Sequence, residues 1–389
     1  MKRLLYKCTK LFLFLLLLSS CLHAQTITGY VFEDINKNGI KENNEPGIKG
    51  VAVSDQVNVV LTNDAGMYQI INKGYGIIFI SMPNGYSSKT FWKNTTSSSI
   101  DFPVIKSSSP SSFQFIHASD THISEKSVDR MDKFRAIVDS VRPDLVLITG
   151  DLVKDALRVD EKEATGYYEL FIKESNKIKQ PLWLVPGNHE IFGIERHLSL
   201  VSPKNLLYGR NMYRHYFGPD YYSFNFGGVH FIAINSLEFE DLYYYGRIDS
   251  MQTEWLKKDL ATISLSTPVV TFQHVPFYSG GLSMENFTED GLSRTLDRQH
   301  GVLQYRHVVS NADDILSILN PYNYLLSLAG HYHYRQLFSF EGMKTRFEQT
   351  AAIIGPVTKS YVTMPSGVTL YKVVNGKIDE GHFIPLDKK

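Results

Sequence analysis

Histidine, aspartate and asparagine residues occur in five short blocks along the chain, and these residue types suit metal chemistry. The blocks are Asp120-Thr121-His122, Gly150-Asp151, Gly187-Asn188-His189-Glu190, His274 and Gly330-His331-Tyr332-His333. Imidazole nitrogens combined with carboxylate and amide oxygens favour Mn, Fe or Zn over Ca or a metal that prefers thiolates. The two cysteines of the chain both lie near its N-terminus and outside the blocks. The blocks therefore predict a transition-metal centre.

An apolar run precedes each block, and these runs must position the polar residues. The runs span residues 113–116, 145–148, 182–185, 269–272 and 324–328. As strands of one open α/β sheet, they would bring their polar carboxyl ends to one edge, where sites form in such sheets. Asp120 and His122 are two residues apart and would share one face of an extended segment, as would His331 and His333.

The order of the blocks, D-x-H, G-D, G-N-H-E, H and G-H-x-H, resembles the calcineurin-like metallophosphoesterase family over roughly residues 113–334. The resemblance implies an α/β fold, a four-layer αββα sandwich, with two divalent transition metal ions. It implies seven ligands: Asp120, His122 and His333 on one ion, Asn188, His274 and His331 on the other, and Asp151 between them. His189 would be the catalytic residue that protonates the leaving oxygen.

The reaction implied by this resemblance is the hydrolysis of phosphate monoesters or diesters. A water or hydroxide held between the metals would attack phosphorus, and the metals would stabilise charge on the phosphoryl oxygens. A narrower alternative is a cyclic-nucleotide or nucleic-acid phosphodiesterase. An alternative of another class is a surface binding or adhesion protein with a degenerate enzyme domain, which the intact blocks disfavour.

The N-terminal part of the chain has a different pattern. Residues 26–105 contain short stretches rich in Val, Ile and Tyr, separated by Gly, Asn and Asp, which predict a small all-β sandwich domain. Residues 106–112 are rich in Ser and predict a linker. Residues 113–389 alternate apolar runs with amphipathic stretches, clearest at 128–141 and 251–263, and predict the metallophosphoesterase domain with further strands at its C-terminal end.

A second metal motif lies in the N-terminal region. Residues 34–45 match the D-x-N-x-N-G-x5-E spacing of a calcium loop. The ligands would be Asp34, Asn36, Asn38, the backbone carbonyl of Ile40, and Glu45. The segment resembles the calcium-binding B-repeat domains of Gram-positive surface adhesins, which implies an Ig-like sandwich that binds Ca. The alternative is a polar turn that binds nothing.

The first 25 residues predict a signal peptide, because a basic start precedes the eight-residue apolar run at 11–18. That run is too short to span a bilayer. Two cleavage sites compete: Leu18-Ser19-Ser20-Cys21 resembles a bacterial lipobox with a lipid on Cys21, and Leu22-His23-Ala24 resembles an ordinary signal-peptidase site. The protein is expected to be exported, either periplasmic, anchored as a lipoprotein, or secreted.

Charge composition bears on the partner. Lys+Arg and Asp+Glu both number 40, so neither nucleic acid nor an anionic membrane surface is favoured. A small-molecule, lipid or glycan phosphate ester is the expected substrate. Residues 191–219, 238–250 and 278–311, which lie between the blocks, are expected to determine its choice. The histidines outside the blocks, His117 and His307 among them, are expected to be packing or loop residues.

Overall fold

The structure is a computed structural model that describes residues 25–281, 296–299, 301–359 and 361–387. The predicted signal peptide, including Cys21, lies outside the described residues apart from Gln25. Within those ranges, no helix is both long and apolar enough to cross a membrane.

The N-terminal region is all-β, as predicted, and its strands form two four-stranded sheets. The strands are β1 Thr26–Glu33, β2 Ala52–Ser54, β3 Val59–Leu61, β4 Met67–Ile71, β5 Ile77–Ile80, β6 Tyr86–Ser87, β7 Trp92–Asn94 and β8 Phe102–Lys106. One sheet has the order β4-β1-β8-β6 and the other β3-β2-β5-β7. All pairs are antiparallel except β1 with β8. Burial alternates along β1, which is typical of a strand with one face on a core.

The rest of the described chain, termed the α/β region, contains the remaining strands. They are β9 Ser112–Ala118, β10 Leu145–Thr149, β11 Leu182–Val185, β12 Tyr222–Phe226, β13 Val229–Ile234, β14 Leu237–Glu240, β15 Tyr243–Gly246, β16 Pro268–Gln273, β17 Leu296–Gln299, β18 Val302–Tyr305, β19 Asn323–Ala329, β20 Gln336–Phe338, β21 Arg346–Gln349, β22 Val357–Lys359, β23 Val362–Met364, β24 Gly367–Val374, β25 Lys377–Ile378 and β26 His382–Pro385.

Twelve of these strands form two six-stranded sheets, and the other six form the two-stranded pairs β14-β15, β17-β18 and β22-β23. Sheet I has the order β11-β10-β9-β24-β25, with β26 also paired to β24. Sheet II has the order β12-β13-β16-β19-β21-β20. Strands β9, β10 and β11 run parallel in sheet I, and β13, β16, β19 and β21 run parallel in sheet II. The C-terminal strands thus complete sheet I, because β24 pairs antiparallel with β9.

Six α-helices occur among the described residues of the α/β region. They are α1 Val128–Val141, α2 Glu161–Ser175, α3 Arg196–Ser199, α4 Asn211–Phe217, α5 Ser250–Leu260 and α6 Ala312–Leu319. The N-termini of α2 and α5 are capped by Asp160 and Asp249, whose carboxylates accept hydrogen bonds from backbone N–H groups in the first turn. On α1, Met131, Phe134 and Val138 form the buried stripe.

The layers follow from where alternate side chains of each strand point. Phe115 of β9 faces sheet II and packs edge-on against Phe231, with ring centroids 5.7 Å apart. Its neighbour Ile116 faces outward into an apolar cluster shared with α1 and α2. On β13, His230 points away from sheet I and contacts Asp259 of α5 at 2.9 Å. The order is therefore helices, sheet I, sheet II, helices, which confirms the predicted four-layer sandwich.

One expectation about the sheets was wrong. The five apolar runs do not belong to one sheet: three form β9, β10 and β11 of sheet I, and two form β16 and β19 of sheet II. Each sheet has one face on the common core and one under helices, so a single sheet and a pair of sheets give the same apolar runs in the sequence. The site is built where the carboxyl edges of two packed sheets meet.

The N-terminal region and the α/β region share one apolar core. Met82 and Phe224 belong to the same buried cluster, and the backbone N–H of Asn225 donates to the carbonyl of Met82 at 2.8 Å. The indole N–H of Trp255 donates to the Ser54 hydroxyl at 3.1 Å. These hydrogen bonds hold the N-terminal sheets against α5 and sheet II.

Candidate metal centre

The five polar blocks converge, as the sequence predicted. Asp120 and His122 lie in the loop after β9, Asp151 follows β10, Asn188 begins a short 3-10 helix after β11, His274 directly follows β16, and His331 and His333 lie in the loop after β19. Asp120, Asp151 and His274 are buried. His122 and His333 keep side-chain exposures of 11% and 28%, so the cluster opens to solvent on their side.

One half of the cluster contains Asp120, His122, Asp151 and His333. Their donor atoms all lie within 4.8 Å of one another, a spacing that can hold a metal ion. His333 Nε2 is 3.3 Å from Asp120 Oδ1 and 3.1 Å from His122 Nε2. His122 Nε2 in turn is 3.5 Å from Asp151 Oδ2.

The other half contains Asp151, His274, His331 and Asn188. His274 Nε2 lies 3.3 Å from Asp151 Oδ2, 3.1 Å from Asn188 Oδ1 and 3.0 Å from His331 Nδ1. Asp151 Oδ2 therefore faces nitrogen atoms of both halves. This is the position that the resemblance implied for a bridging carboxylate.

The donor set fits a cation better than it fits internal hydrogen bonding. The Thr149 carbonyl, 2.7 Å from His274 Nδ1, can only accept, so Nδ1 carries a proton. In the neutral form of His274, Nε2 then presents a lone pair to the oxygens of Asn188 and Asp151. Asp120 Oδ1 is buried, and although His333 Nε2 lies 3.3 Å away, no group of the described residues makes a well-aligned hydrogen bond to this oxygen. Buried acceptors that face one another in this way are unfavourable unless a proton or metal ion lies between them.

In the protein without metal, that proton lies on His274, because the nearby carboxylate of Asp151 favours its charged form. Burial disfavours the charged form of His274, but the carboxylate of Asp151 outweighs burial and raises the pKa of His274 to about 9. Burial also lowers the pKa of His122 to about 4, against the attraction of Asp151. Although burial acts to raise the pKa of Asp151, the surrounding histidines, His274 first, hold it well below its usual range. A metal ion must therefore displace a proton from His274.

The ligand loops are held in a backbone conformation that most residues avoid. Five of the seven predicted ligands have positive φ: Asp120 (54°), His122 (38°), Asp151 (49°), His331 (74°) and His333 (66°). A left-handed conformation costs a residue with a Cβ atom roughly 1–2 kcal/mol. Such strain clusters at functional sites, where the surrounding structure enforces it.

Two glycines permit the close approach of these loops. A Cβ atom on Gly187 would lie 2.2 Å from Asp151 Oδ1, and one on Gly330 would lie 1.8 Å from Ser119 Oγ and 2.7 Å from Asp120 Oδ2. Neither glycine has positive φ. Glycine is required at both positions because a neighbouring ligand loop leaves no room for a Cβ atom. That loop follows β10 at Gly187 and β9 at Gly330.

His189 borders both halves of the cluster. Its Nδ1 lies 2.6 Å from the Lys154 carbonyl, and its ring meets the ring of His122 edge-on with centroids 4.4 Å apart. Its Nε2 is 3.9 Å from Asp151 Oδ2, and the side chain is 21% exposed. The Lys154 carbonyl fixes a proton on Nδ1, so Nε2 is the ring nitrogen directed toward Asp151 and the cluster.

Two residues at the site were not anticipated from the sequence. Glu190 accepts hydrogen bonds from the backbone N–H groups of Val153 (2.9 Å) and Gly187 (2.6 Å), and so joins the loops after β10 and β11. The G-N-H-E block signals Glu190, but its role depends on the fold. His307 was expected to be a packing or loop residue, yet its Nδ1 lies 2.7 Å from Nε2 of His331.

The predicted calcium loop forms a compact turn after β1. Asp34 accepts hydrogen bonds from the backbone N–H groups of Asn38 and Gly39, and Asn36 and Asn38 each accept one from the residue two positions on. Glu45 is buried and accepts from the backbone of Ile35. The loop oxygens thus stabilise the turn itself, and calcium binding stays a prediction.

Comparison with known proteins identifies the class. Residues 113–335 match the calcineurin-like phosphoesterase family, and residues 35–116 match the N-terminal region described for calcineurin-like phosphoesterases. The chain therefore belongs to the calcineurin-like phosphoesterase family, whose members are hydrolases of phosphoric esters. The resemblance of the N-terminal region to adhesin repeats stays a prediction.

Individual relatives are more distant. The chain is 28% identical over 166 residues to purple acid phosphatase 15 of Arabidopsis thaliana, covering 35% of this chain and 29% of that protein. It is 26% identical over 200 residues to purple acid phosphatase 23 of the same plant, covering 50% and 36%. The chain thus spans about a third of the length of these relatives. Among solved structures, a dimetal phosphatase from Danio rerio aligns at a TM-score of 0.48 and 14% identity, over 71% of this chain and 99% of that one.

Proposed function

We propose that this protein hydrolyses phosphate monoesters or diesters at a dinuclear centre of two divalent transition metal ions, Mn, Fe or Zn. The observation that carries the proposal is the facing of Asp151 Oδ2 toward both halves of the cluster, with His122 Nε2 at 3.5 Å and His274 Nε2 at 3.3 Å. Asp120, His122 and His333 would hold one ion, and Asn188, His274 and His331 the other. Asp151 would offset the repulsion between the two cations.

When bound, two such ions supply a water of lowered pKa and neutralise charge on the phosphoryl oxygens. The protein's own residues arrange the rest. The buried side of the cluster, at Asp120 and His274, excludes bulk water, and the exposed edges of His122 and His333 leave the approach open. His189 stands on that open side, where Nε2 can donate a proton to the leaving oxygen while the Lys154 carbonyl keeps the ring oriented.

A hydrolase is favoured over an adhesion protein with a degenerate enzyme domain because all seven donors are present and converge. A cyclic-nucleotide or nucleic-acid phosphodiesterase is the narrower alternative. The balanced charge of the chain disfavours nucleic acid as the substrate, since phosphate backbones are bound by an excess of Lys and Arg. A small-molecule, lipid or glycan phosphate ester remains the proposed substrate class.

Hydrolysis of 4-nitrophenyl phosphate and bis(4-nitrophenyl) phosphate by purified protein with added Mn²⁺ tests the proposal. Wild type should release nitrophenol, and Asp151→Asn should lose most of that activity together with bound metal. Asp139→Asn, at an exposed position of α1, is the matched control and should behave as wild type. Absence of turnover of both esters with Mn, Fe or Zn supplied would overturn the proposal.

We propose further that the protein is exported, with either a lipid on Cys21 or cleavage after Ala24. The apolar run at 11–18 and the small residues before both positions support this. The intact mass of the mature protein from its own cell envelope distinguishes the two forms. An N-terminus that still contains residues 1–20 would contradict both.

A further inference from the structure

His307 makes a direct side-chain contact with a proposed metal ligand from outside the five blocks. The rings of His307 and His331 stack, with centroids 4.9 Å apart and an interplanar angle of 29°. His307 Nδ1 lies 2.7 Å from His331 Nε2. The opposite nitrogen, His331 Nδ1, points into the cluster and lies 3.0 Å from His274 Nε2.

The proton in this contact can be located from the chemistry of the ligand. If His331 binds a metal through Nδ1, that nitrogen is unprotonated and Nε2 carries the proton. His331 Nε2–H must then donate, and His307 Nδ1 accept. Metal-binding histidines generally need such an acceptor for the second ring nitrogen, because it fixes the tautomer and the ring plane and raises the basicity of the ligand atom.

We propose that His307 is a positioning residue that fixes His331 as an Nδ1 ligand of the second metal ion, an inference that rests on the proposed dinuclear centre. In this arrangement the acceptor is the unprotonated Nδ1 of His307. His307 lies in residues 304–311, which belong to the long stretch between blocks that shows no recognisable pattern in the sequence.

The segment that carries His307 is fastened to the loops around the site. The backbone N–H of Val309 donates to the Pro276 carbonyl at 2.9 Å, two residues beyond His274. The N–H of Ser310 donates to the Gly246 carbonyl at 2.8 Å. A Cβ atom on Gly246 would lie 2.1 Å from the Val308 carbonyl oxygen, so this approach requires glycine. The segment that carries His307 is therefore hydrogen-bonded to the loop that follows His274.

Tyr244 completes the packing around the two imidazoles. Its ring is buried and meets the rings of His331 and His307 edge-on, at centroid distances of 6.4 and 6.3 Å. The guanidinium carbon of Arg306 lies 4.5 Å from the centre of the Tyr244 ring and makes a cation–π contact with it. The ring planes of His307 and His331 are thus fixed by contacts on several sides.

Two single substitutions of His307, by Asn and by Gln, test the tautomer directly. The side-chain oxygen of Asn corresponds in position to Nδ1 of histidine, whereas that of Gln corresponds to Nε2. His307→Asn should therefore retain the acceptor for His331, and His307→Gln and His307→Ala should lose it. Loss of such a partner typically weakens metal binding about 10–100-fold.

The measurement is equilibrium dialysis of each variant against Mn²⁺ alone, with thermal melting to compare folding. Wild type, His307→Asn and the surface control His197→Ala should bind two ions, while His307→Gln should bind one of the two about 10–100-fold more weakly. If His307→Ala does not fold, the Asn–Gln pair decides. Equal affinities of wild type and His307→Gln at both sites would overturn the positioning role alone. Fewer than two ions on wild type would overturn the dinuclear centre as well.

Discussion

Gly187→Ala is the substitution whose effect follows most directly from the geometry. The backbone of Gly187 has φ −103° and ψ −172°, which alanine adopts without strain. Any cost therefore comes from the added methyl group. That group would lie 2.2 Å from Asp151 Oδ1 and 2.3 Å from the Asp151 backbone nitrogen.

The size of the effect can be worked from this overlap. The shortest ordinary contact is about 3.4 Å, so Asp151 and Gly187 must separate by about 1.2 Å from the 2.2 Å overlap. Overpacking of this kind costs roughly 1–3 kcal/mol of the free energy of unfolding. Asp151 is the proposed bridging carboxylate, and a displacement near 1 Å at a reacting centre lowers the rate about 100-fold. Gly187→Ala should therefore lose activity out of proportion to stability.

The assay compares kcat on 4-nitrophenyl phosphate, bound metal and urea unfolding for wild type and Gly187→Ala. Gly166→Ala is the matched control, because Gly166 lies within α2 and has open space where a Cβ would be added. That control should gain about 0.5–1 kcal/mol of stability and keep full activity. Wild-type activity and two bound metals in Gly187→Ala would refute the assignment of Asp151.

Three further predictions concern other parts of the molecule. Asp259→Ala removes a buried carboxylate that accepts hydrogen bonds from His230 Nε2 at 2.9 Å and from the Ser223 hydroxyl at 2.6 Å. Urea unfolding should show that the free energy of unfolding falls by about 3–5 kcal/mol, while kcat of the folded protein is unchanged. His189→Ala should lower kcat about 100- to 10,000-fold on alkyl phosphates and less on nitrophenyl phosphates, whose leaving group needs no proton, while metal content stays at two. Without metal, His274 has a pKa of about 9, so its proton competes with a metal ion for the ring nitrogen. The Mn²⁺ affinity measured by dialysis should therefore fall about tenfold from pH 7 to pH 6. An affinity that does not change over this range would contradict the competition.

The sequence predicted elements best where local pattern and tertiary packing agree. The range predicted for α1, 128–141, is the range observed, because its apolar stripe is the buried one. For α5 the apolar pattern extended to residue 263, but the helix ends at Leu260. The Thr262 hydroxyl donates to the Asp259 carbonyl at 2.7 Å, a side-chain bond that competes with helical continuation.

The candidate site could be predicted only as far as each residue belonged to a recognisable block. Asp120, Asp151 and His331 were identified by their neighbours in sequence and now lie together. His307 has no such neighbours. It lies 24 residues before His331 in the sequence, and only the fold brings the two side chains into contact. The division of the strands into two sheets was also hidden, because the burial of a strand does not specify which sheet contains it.

The most direct test of the central claim is a crystal structure of the Mn²⁺-soaked protein with anomalous data collected at the manganese edge. Two anomalous peaks should appear about 3.5–4 Å apart, with Asp151 Oδ2 between them. One should lie among Asp120, His122 and His333, and the other among Asn188, His274 and His331. A single peak, or peaks away from Asp151, would contradict a dinuclear centre.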